Sequence, residues 1–199
     1  MLEVEVKGVV EHAAQADAAR QALLRAGAVS VYEGRLEDRR YDTADRALAL
    51  RDVVLRLRVY RSHEIRASLD LKGPTGYADG YKVREEQSVS VGDPIAMAQI
   101  LDALGYLVTR EIDREIAQYT YAGAVVRFER YPRMDQLIEV EGEPSAIERA
   151  IAALGLPRAA FTSERLPDFV LRFEARTGLR AALCDRELSG DYRYSATDA

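Results

Sequence analysis

The sequence predicts an α+β fold: an eight-stranded antiparallel sheet closed into a β-tunnel with a charged interior and flanked by helices. Three observations lead there. Segment after segment alternates apolar and ionic side chains with a period of two. The connections between most of these segments are too short for the crossovers that parallel strands need. The helical segments carry apolar stripes that need a partner.

Taken in order, "LEVEVKG" places Leu2, Val4 and Val6 on one face of a strand and Glu3, Glu5 and Lys7 on the other. By itself this could be an edge strand with a solvated outer face. "EHAAQADAARQALLRAGA" reads as a helix near residues 12–27, with Ala18, Ala22 and Leu23 at helical spacing and Gly27 as its stop. "SVYEGRLEDRRYDT", "VVLRLRVYR", "IRASLDLKGP" and "YKVREEQSVSV" alternate as strands between Gly, Pro, Asp and Ser turn signals. A second helix over 94–104 opens on Pro94 and stops at Gly105. A hairpin turning near Ala122 and Gly123 and a strand in "QLIEVEGEP" bring the count to eight. Helices over 144–154 and in "FTSERLPDFVLRFEARTG" complete the domain, set at residues 1–178. Residues 179–199 form a C-terminal tail that packs on the domain or on a partner, its periodicity fading after Cys184 and its last residues frayed.

Composition narrows the function classes. With 199 residues, 48% of them hydrophobic, the chain can build one sizeable core, and no apolar run reaches the roughly 20 residues of a membrane span. The first residues do not resemble a signal peptide, so a cytoplasmic location is expected, with no membrane partner. A net charge of −5 argues against a general nucleic-acid binder. One cysteine, Cys184, allows no internal disulfide, and His12 and His63 lack the spacing of a zinc site.

The polar faces are the informative feature. Arg56 and Arg58 share a face, as do Asp70 with Lys72, then Lys82, Arg84 and Glu86, then Arg110 and Arg114, then Arg127 with Glu129, and finally Glu139 with Glu141. The helices need the Leu, Val and Ile face of the sheet, which turns the charges inward. A dry interior of that kind would cost several kcal/mol per unpaired ion. The expectation is therefore a wet tunnel with cations at one level and carboxylates at another, suited to a polyphosphate with a divalent metal.

"EVEVK" resembles the Glu-x-Glu-x-Lys signature of the CYTH, or triphosphate tunnel metalloenzyme, superfamily, which includes class IV adenylyl cyclases, thiamine triphosphatases and inorganic triphosphatases. "YDT" at 41–43, "LRLR" at 55–58, "LKG" at 71–73, "REE" at 84–86 and "EVE" at 139–141 resemble successive blocks of that family, in order, to about Phe173. The resemblance implies metal-site carboxylates at Glu3, Glu5, Glu139 and Glu141. It implies triphosphate-binding cations at Lys7, Arg56, Arg58, Lys72 and Arg84, and makes Glu3, Glu5, Lys7, Arg56 and Arg58 the catalytic set. Two positions depart from the pattern. Glu129, a further metal-site candidate, stands where the family has Asp and is a longer carboxylate that can still reach the ion, and Arg110 and Arg114 compete for a late cation position. Arg165 is the candidate for a basic residue near the C-terminal helix.

The implied activity is Mg2+- or Mn2+-dependent phosphohydrolysis of an inorganic or organic triphosphate, thiamine triphosphate and nucleotides included. An adenylyl cyclase would use the same tunnel with a base pocket at its mouth. A non-catalytic polyphosphate- or nucleotide-binding module would keep the cations, although it would not need paired glutamates. A second copy of the chain is a candidate partner for the final helix and tail. Arg35, Arg39, Arg40, Arg61 and Arg66 read as solvated or rim charges, Tyr119, Tyr121 and Tyr131 as packing, and Asp42 as a turn or cap residue.

Overall fold

The computed structural model describes residues 2–10 and 12–194. Ten strands form one antiparallel sheet: β1 Leu2–Val10, β2 Val29–Asp42, β3 Val54–Arg61, β4 Ile65–Lys72, β5 Gly76–Ala78, β6 Tyr81–Val91, β7 Leu107–Tyr121, β8 Ala124–Arg130, β9 Gln136–Glu141 and β10 Phe161–Thr162. Eight close into a ring in the order β1-β9-β8-β7-β2-β3-β4-β6, and β6 returns to β1. The two short strands lie outside it, β5 on β6 and β10 on β1. The closure is uneven: β7 pairs with β8 only from Glu115 to Tyr121, leaving its first half without that neighbour.

The helices are α1 Ala13–Arg25, α2 Pro94–Ala103, α3 Pro144–Leu154, α4 Leu166–Thr177 and the short α5 Asp185–Ser189. None is long and apolar enough to cross a membrane. Local chemistry sets their ends. Asp93 caps α2 by accepting the N–H groups of Ile95 and Ala96 at 2.9 and 3.0 Å, and Pro94 occupies the first turn. The final helix starts later than its apolar pattern predicts, because Phe161 and Thr162 pair with β1 and the Asp168 carboxylate holds the Arg165 N–H at the helix entrance. The β7–β8 turn falls at Ala122 and Gly123, both with positive φ (48° and 88°), the geometry a two-residue hairpin needs.

The apolar faces do what the helical stripes require. α1 and α3 cover the outer side of β1, β8 and β9, burying Leu23, Ile147 and Ile151 against Val6, Val126 and Val140. α2 covers β3 with Leu101 against Leu57 and Tyr41. α4 and the chain after it fill the gap beside the first half of β7: Phe169, Val170, Phe173 and Leu183 pack on Ile112 and Leu137. There the Leu183 carbonyl accepts the Asp113 N–H at 2.7 Å, and Ala182 exchanges backbone bonds with Arg133 at 2.8 and 3.0 Å. Residues 179–194 thus pack on the ring; residues 195–199, on which the expected fraying of the tail's last residues falls, lie outside the described residues.

Candidate active site

The ring encloses a cavity of about 220 Å3. Among the described residues its lining counts ten cations, Lys7, Arg40, Arg56, Arg58, Lys72, Lys82, Arg84, Arg114, Arg127 and Arg165, against seven carboxylates, Glu3, Glu5, Asp38, Glu86, Glu129, Glu139 and Glu141. Strand alternation puts them there. The side chains of Glu3, Glu5 and Lys7 point inward while Val4 and Val6 face the helices.

The two signs are interleaved rather than held at separate levels. Lys7 bonds Glu5 at 2.9 Å and also pairs with Glu139, which Arg127 grips from β8. Lys72 reaches Glu3 at 2.6 Å and Glu86 at 3.0 Å, and Lys82 reaches Glu5 at 2.6 Å. Direct pairing satisfies most of this interior, because strand register sets oppositely charged residues abreast, as at Lys72 with Glu86, Glu5 with Lys82 and Lys7 with Glu139. Further along, Asp38 gathers Arg58 (2.7 and 2.9 Å) and Arg114 (3.0 Å), with Arg56 at 3.8 Å; Arg56 also holds Asp70 at 2.7 Å.

Electrostatics follows. Burial raises the Glu5 carboxyl, but Lys7, with Lys82 and Lys72 behind it, overrides that and holds it at about 2. Asp38 is held well below the usual carboxylate range, its burial outweighed by Arg58, Arg56 and Arg114. Glu141 behaves oppositely: burial first, then Glu139 and Glu3, push it up to about 7. No hydrogen bond or ion pair engages its carboxylate among the described residues. Glu3, Glu5, Glu139 and Glu141 line the cavity and offer only oxygen donors, whereas among the described residues the acidic side chains whose ligand atoms already lie within 4.8 Å of one another are Glu111 and Asp113, with Cys184, outside that lining. An all-carboxylate set of donors suits a hard divalent cation such as Mg2+ or Mn2+.

The other sequence candidates divide. Glu129 is 1% exposed and bonds Arg114 (2.9 Å) and the Tyr131 hydroxyl (2.8 Å), closer to the arginine cluster than to the four glutamates. Arg114 lines the cavity. Arg110 lies on the same face but at the rim, where Glu187 of α5 takes both of its terminal nitrogens at 3.0 and 3.2 Å. Arg84 lines the mouth, yet its guanidinium donates to the carbonyls of Gly73 (2.6 Å) and Asp52 (2.7 Å), which ties the loops there together. Arg165 stands at the mouth, 3.4 Å from Asp52. Asp42 closes a turn by accepting the N–H groups of Thr43, Leu48 and Ala49.

Five charged lining residues lie outside the sequence's site assignment: Lys82, Glu86 and Arg127, which it placed on inward faces without a role, Asp38, which it left unplaced, and Arg40, which it read as a surface or rim charge. Arg40 is an inner-face residue, held down to about 9 by burial and then by Arg56. Beyond Arg58 and Arg127 the cavity stops. Tyr32, Leu36 and Ile116 are packed there with Tyr60, and Arg66 stacks outside both rings, 5.5 and 5.6 Å from their centroids. The tunnel is therefore blind at that end and opens at the Arg84–Arg165 end.

The sequence model of the CYTH domain matches residues 1–150. No curated protein matches the sequence. Among solved structures, a candidate adenylate cyclase from Vibrio parahaemolyticus superposes with a TM-score of 0.71 at 18% identity, over 86% of this chain and 98% of its own. A protein from Pyrococcus horikoshii OT3 gives 0.68 at 22% identity, over 85% and 98%. A candidate adenylyl cyclase from Hippeastrum with a dominant triphosphatase activity gives 0.63 at 16% identity, over 91% and 98%. What these proteins share with the chain is the fold.

Proposed function

This chain belongs to the CYTH domain family, and from that premise we propose that it hydrolyses a triphosphate inside its tunnel with the help of a divalent cation. The observation that carries the reading is that ten cations and the four glutamates Glu3, Glu5, Glu139 and Glu141 line one cavity inside the ring. A pure anion site gains nothing from Glu3, Glu5, Glu139 and Glu141.

Arg56, Arg58 and Arg114, already held by Asp70, Asp38 and Glu129, would offer their remaining N–H groups to phosphate oxygens, and Lys7 and Lys72 would add point charges nearer the glutamates. Glu3, Glu5, Glu139 and Glu141 would hold Mg2+ or Mn2+, which when bound supplies Lewis-acid polarisation of a phosphoryl oxygen. Binding is an exchange of partners. Lys72, now paired with Glu3, and Lys7, now paired with Glu139, would turn to phosphate oxygens, and their carboxylates would then be available to hold the cation. As charge shifts toward the leaving phosphate, the arginines around Asp38 already stand in place, without reorganisation at the moment of reaction.

The test offers inorganic triphosphate, thiamine triphosphate and ATP separately, with magnesium or manganese, and scores orthophosphate and cyclic AMP. Metal-dependent release of orthophosphate is expected. Cyclic AMP with pyrophosphate from ATP, or no product from any of the three, overturns the reading.

A further inference from the structure

α2, "PIAMAQILDA", carries a single charged side chain, Asp102. A helix on a protein surface usually buries one apolar stripe and turns polar residues to water. This one buries Leu101 in the cluster with Leu57 and Tyr41, yet leaves Ile95, Ile100 and Leu104 at 72, 52 and 70% exposure. Ile100 and Leu104 lie one turn apart and make a ridge. Two residues on, Tyr106 joins Leu48, Val53, Leu71 and Pro74 in lining a largely apolar groove of about 550 Å3. Leu50, Leu107 and Val108 flank lining residues along the chain and are also exposed. Ridge, groove and flanks together show apolar surface on the order of 800 Å2, above the roughly 300–600 Å2 of the largest patch on most monomers and near what each partner gives to a standard interface.

The end of the chain does not cover this face. Ala181 and Leu183 are packed beside Ile112, and residues 195–199, "SATDA", hold no large apolar side chain. A lipid surface calls for a rim rich in lysine and arginine, whereas Arg51 on the groove is offset by Glu85 beside it and by Asp102 on the helix. A rim of both signs suits a second copy of the same chain. No ion pair engages Arg51 or Glu85 among the described residues, so each is available to the opposite charge of that copy. Because ridge and groove lie side by side, one two-fold axis can seat each ridge in the other's groove and bring each Arg51 to an acid across the seam.

We propose that α2 and the adjoining groove form the interface of a homodimer, the Ile100–Leu104 ridge of each copy entering the groove of the other. The second copy pairs here and not through the final helix and tail. The interface also reaches the tunnel. Val53 and Pro74 of the groove adjoin Asp52 and Gly73, whose carbonyls Arg84 ties together at the mouth. Pairing therefore braces one side of that mouth.

Sedimentation velocity on the full chain at micromolar concentration should show a species of twice 22.2 kDa. Leu104→Arg in the ridge and Leu71→Glu in the groove should each weaken association by about a hundredfold or more, since each buries an unpaired charge in the seam. Both side chains are exposed in one copy, so far-UV circular dichroism should not change. Mixing the two variants should restore a dimer, because one ridge-and-groove contact stays apolar and the other sets opposite charges together. A variant that merely misfolds cannot give that rescue. Leu171→Arg, on the exposed side of α4, should leave the dimer intact. A monomeric full chain, whether free or co-sedimenting with phosphatidylserine vesicles, overturns the proposal. So does a dimer that survives both substitutions, a mixture that stays monomeric, or a dimer that Leu171→Arg dissolves.

Discussion

Arg58 grips Asp38 with both prongs of its guanidinium, Nε to Oδ1 at 2.7 Å and Nη2 to Oδ2 at 2.9 Å, from directly opposed positions on β3 and β2. The same carboxylate also serves Arg114. Asp38 is 2% exposed, so Asp38→Asn leaves several buried guanidinium groups undercompensated. The expected cost is on the order of 3 to 5 kcal/mol in urea unfolding. Added tripolyphosphate should restore more stability to the variant than it adds to the parent protein. An equal increment in both would show that phosphate does not reach these arginines.

Acid should expose the same network. Asp38 and Glu139 are both held well below the ordinary carboxylate range, Asp38 by Arg58 and Arg56 and Glu139 by Lys7 and Arg127, each against the effect of its own burial. Their stabilisation is complete above the pKa of the unfolded chain, about 4, and is lost as pH falls toward the folded values. Stability should hold level near neutrality and decline below about pH 4. Asp38→Asn, less stable at neutral pH, should decline less steeply there, which unfolding curves taken at successive pH values will show.

Glu141 offers the opposite case, a carboxylate crowded by Glu139 and Glu3 and engaged by no ion pair among the described residues. Glu141→Gln should leave the melting temperature of the metal-free protein unchanged or raise it, because a repelling charge is gone. Metal-dependent turnover should fall by more than the roughly 10- to 100-fold that follows loss of an outer-shell partner. Full activity at saturating magnesium would remove Glu141 from the metal site.

Two arginines of one strand separate inside from outside. Arg56 is 7% exposed within the tunnel, whereas Arg61 is exposed and pairs with Glu37 at 2.8 Å. Triphosphate with magnesium, at about a hundred times its dissociation constant, should add roughly 2.7 kcal/mol and raise the melting temperature by several degrees. Orthophosphate should do much less. Arg56→Ala should erase most of the triphosphate shift, and Arg61→Ala should keep it with stability altered by no more than about 0.5 kcal/mol. Equal losses in thermal melts of the two variants would place the ligand elsewhere.

The inward faces of β1, β3, β4 and β9 were legible because each alternates between apolar residues on one face and polar or ionic residues on the other. β2 was not. Its run "EGRLEDRRYD" carries charge on both faces, since Arg39 pairs with Asp113 on the outer side while Asp38 and Arg40 face inward, and its register shifts between Ser30 and Tyr32 and again between Arg40 and Tyr41. Period alone could not assign those side chains. The seat of the tail was hidden for another reason. Ala182 and Leu183 dock through backbone hydrogen bonds to Arg133 and Asp113, which need no side-chain pattern. Arg84 was legible as an inward cation, but its commitment to the Gly73 and Asp52 carbonyls depends on loops that no periodicity describes. The repeated inward ions showed a tunnel; the pairing of each ion with its neighbour needed the register.

β1 is also the strand on which the ring closes, pairing with β6 through Glu3 and Arg84 and with β9 through Lys7 and Glu139. β1 is therefore locked by partners far along the chain, and the ring cannot shut until both have formed. Such remote pairing makes for slow folding, in milliseconds to seconds rather than microseconds. Stopped-flow refolding should show it; a microsecond phase that recovered the whole signal would contradict it. Until that last seam shuts, the inner ions remain hydrated, so their desolvation coincides with closure. The barrier that delays assembly then also opposes disassembly, and a chain once closed should open slowly.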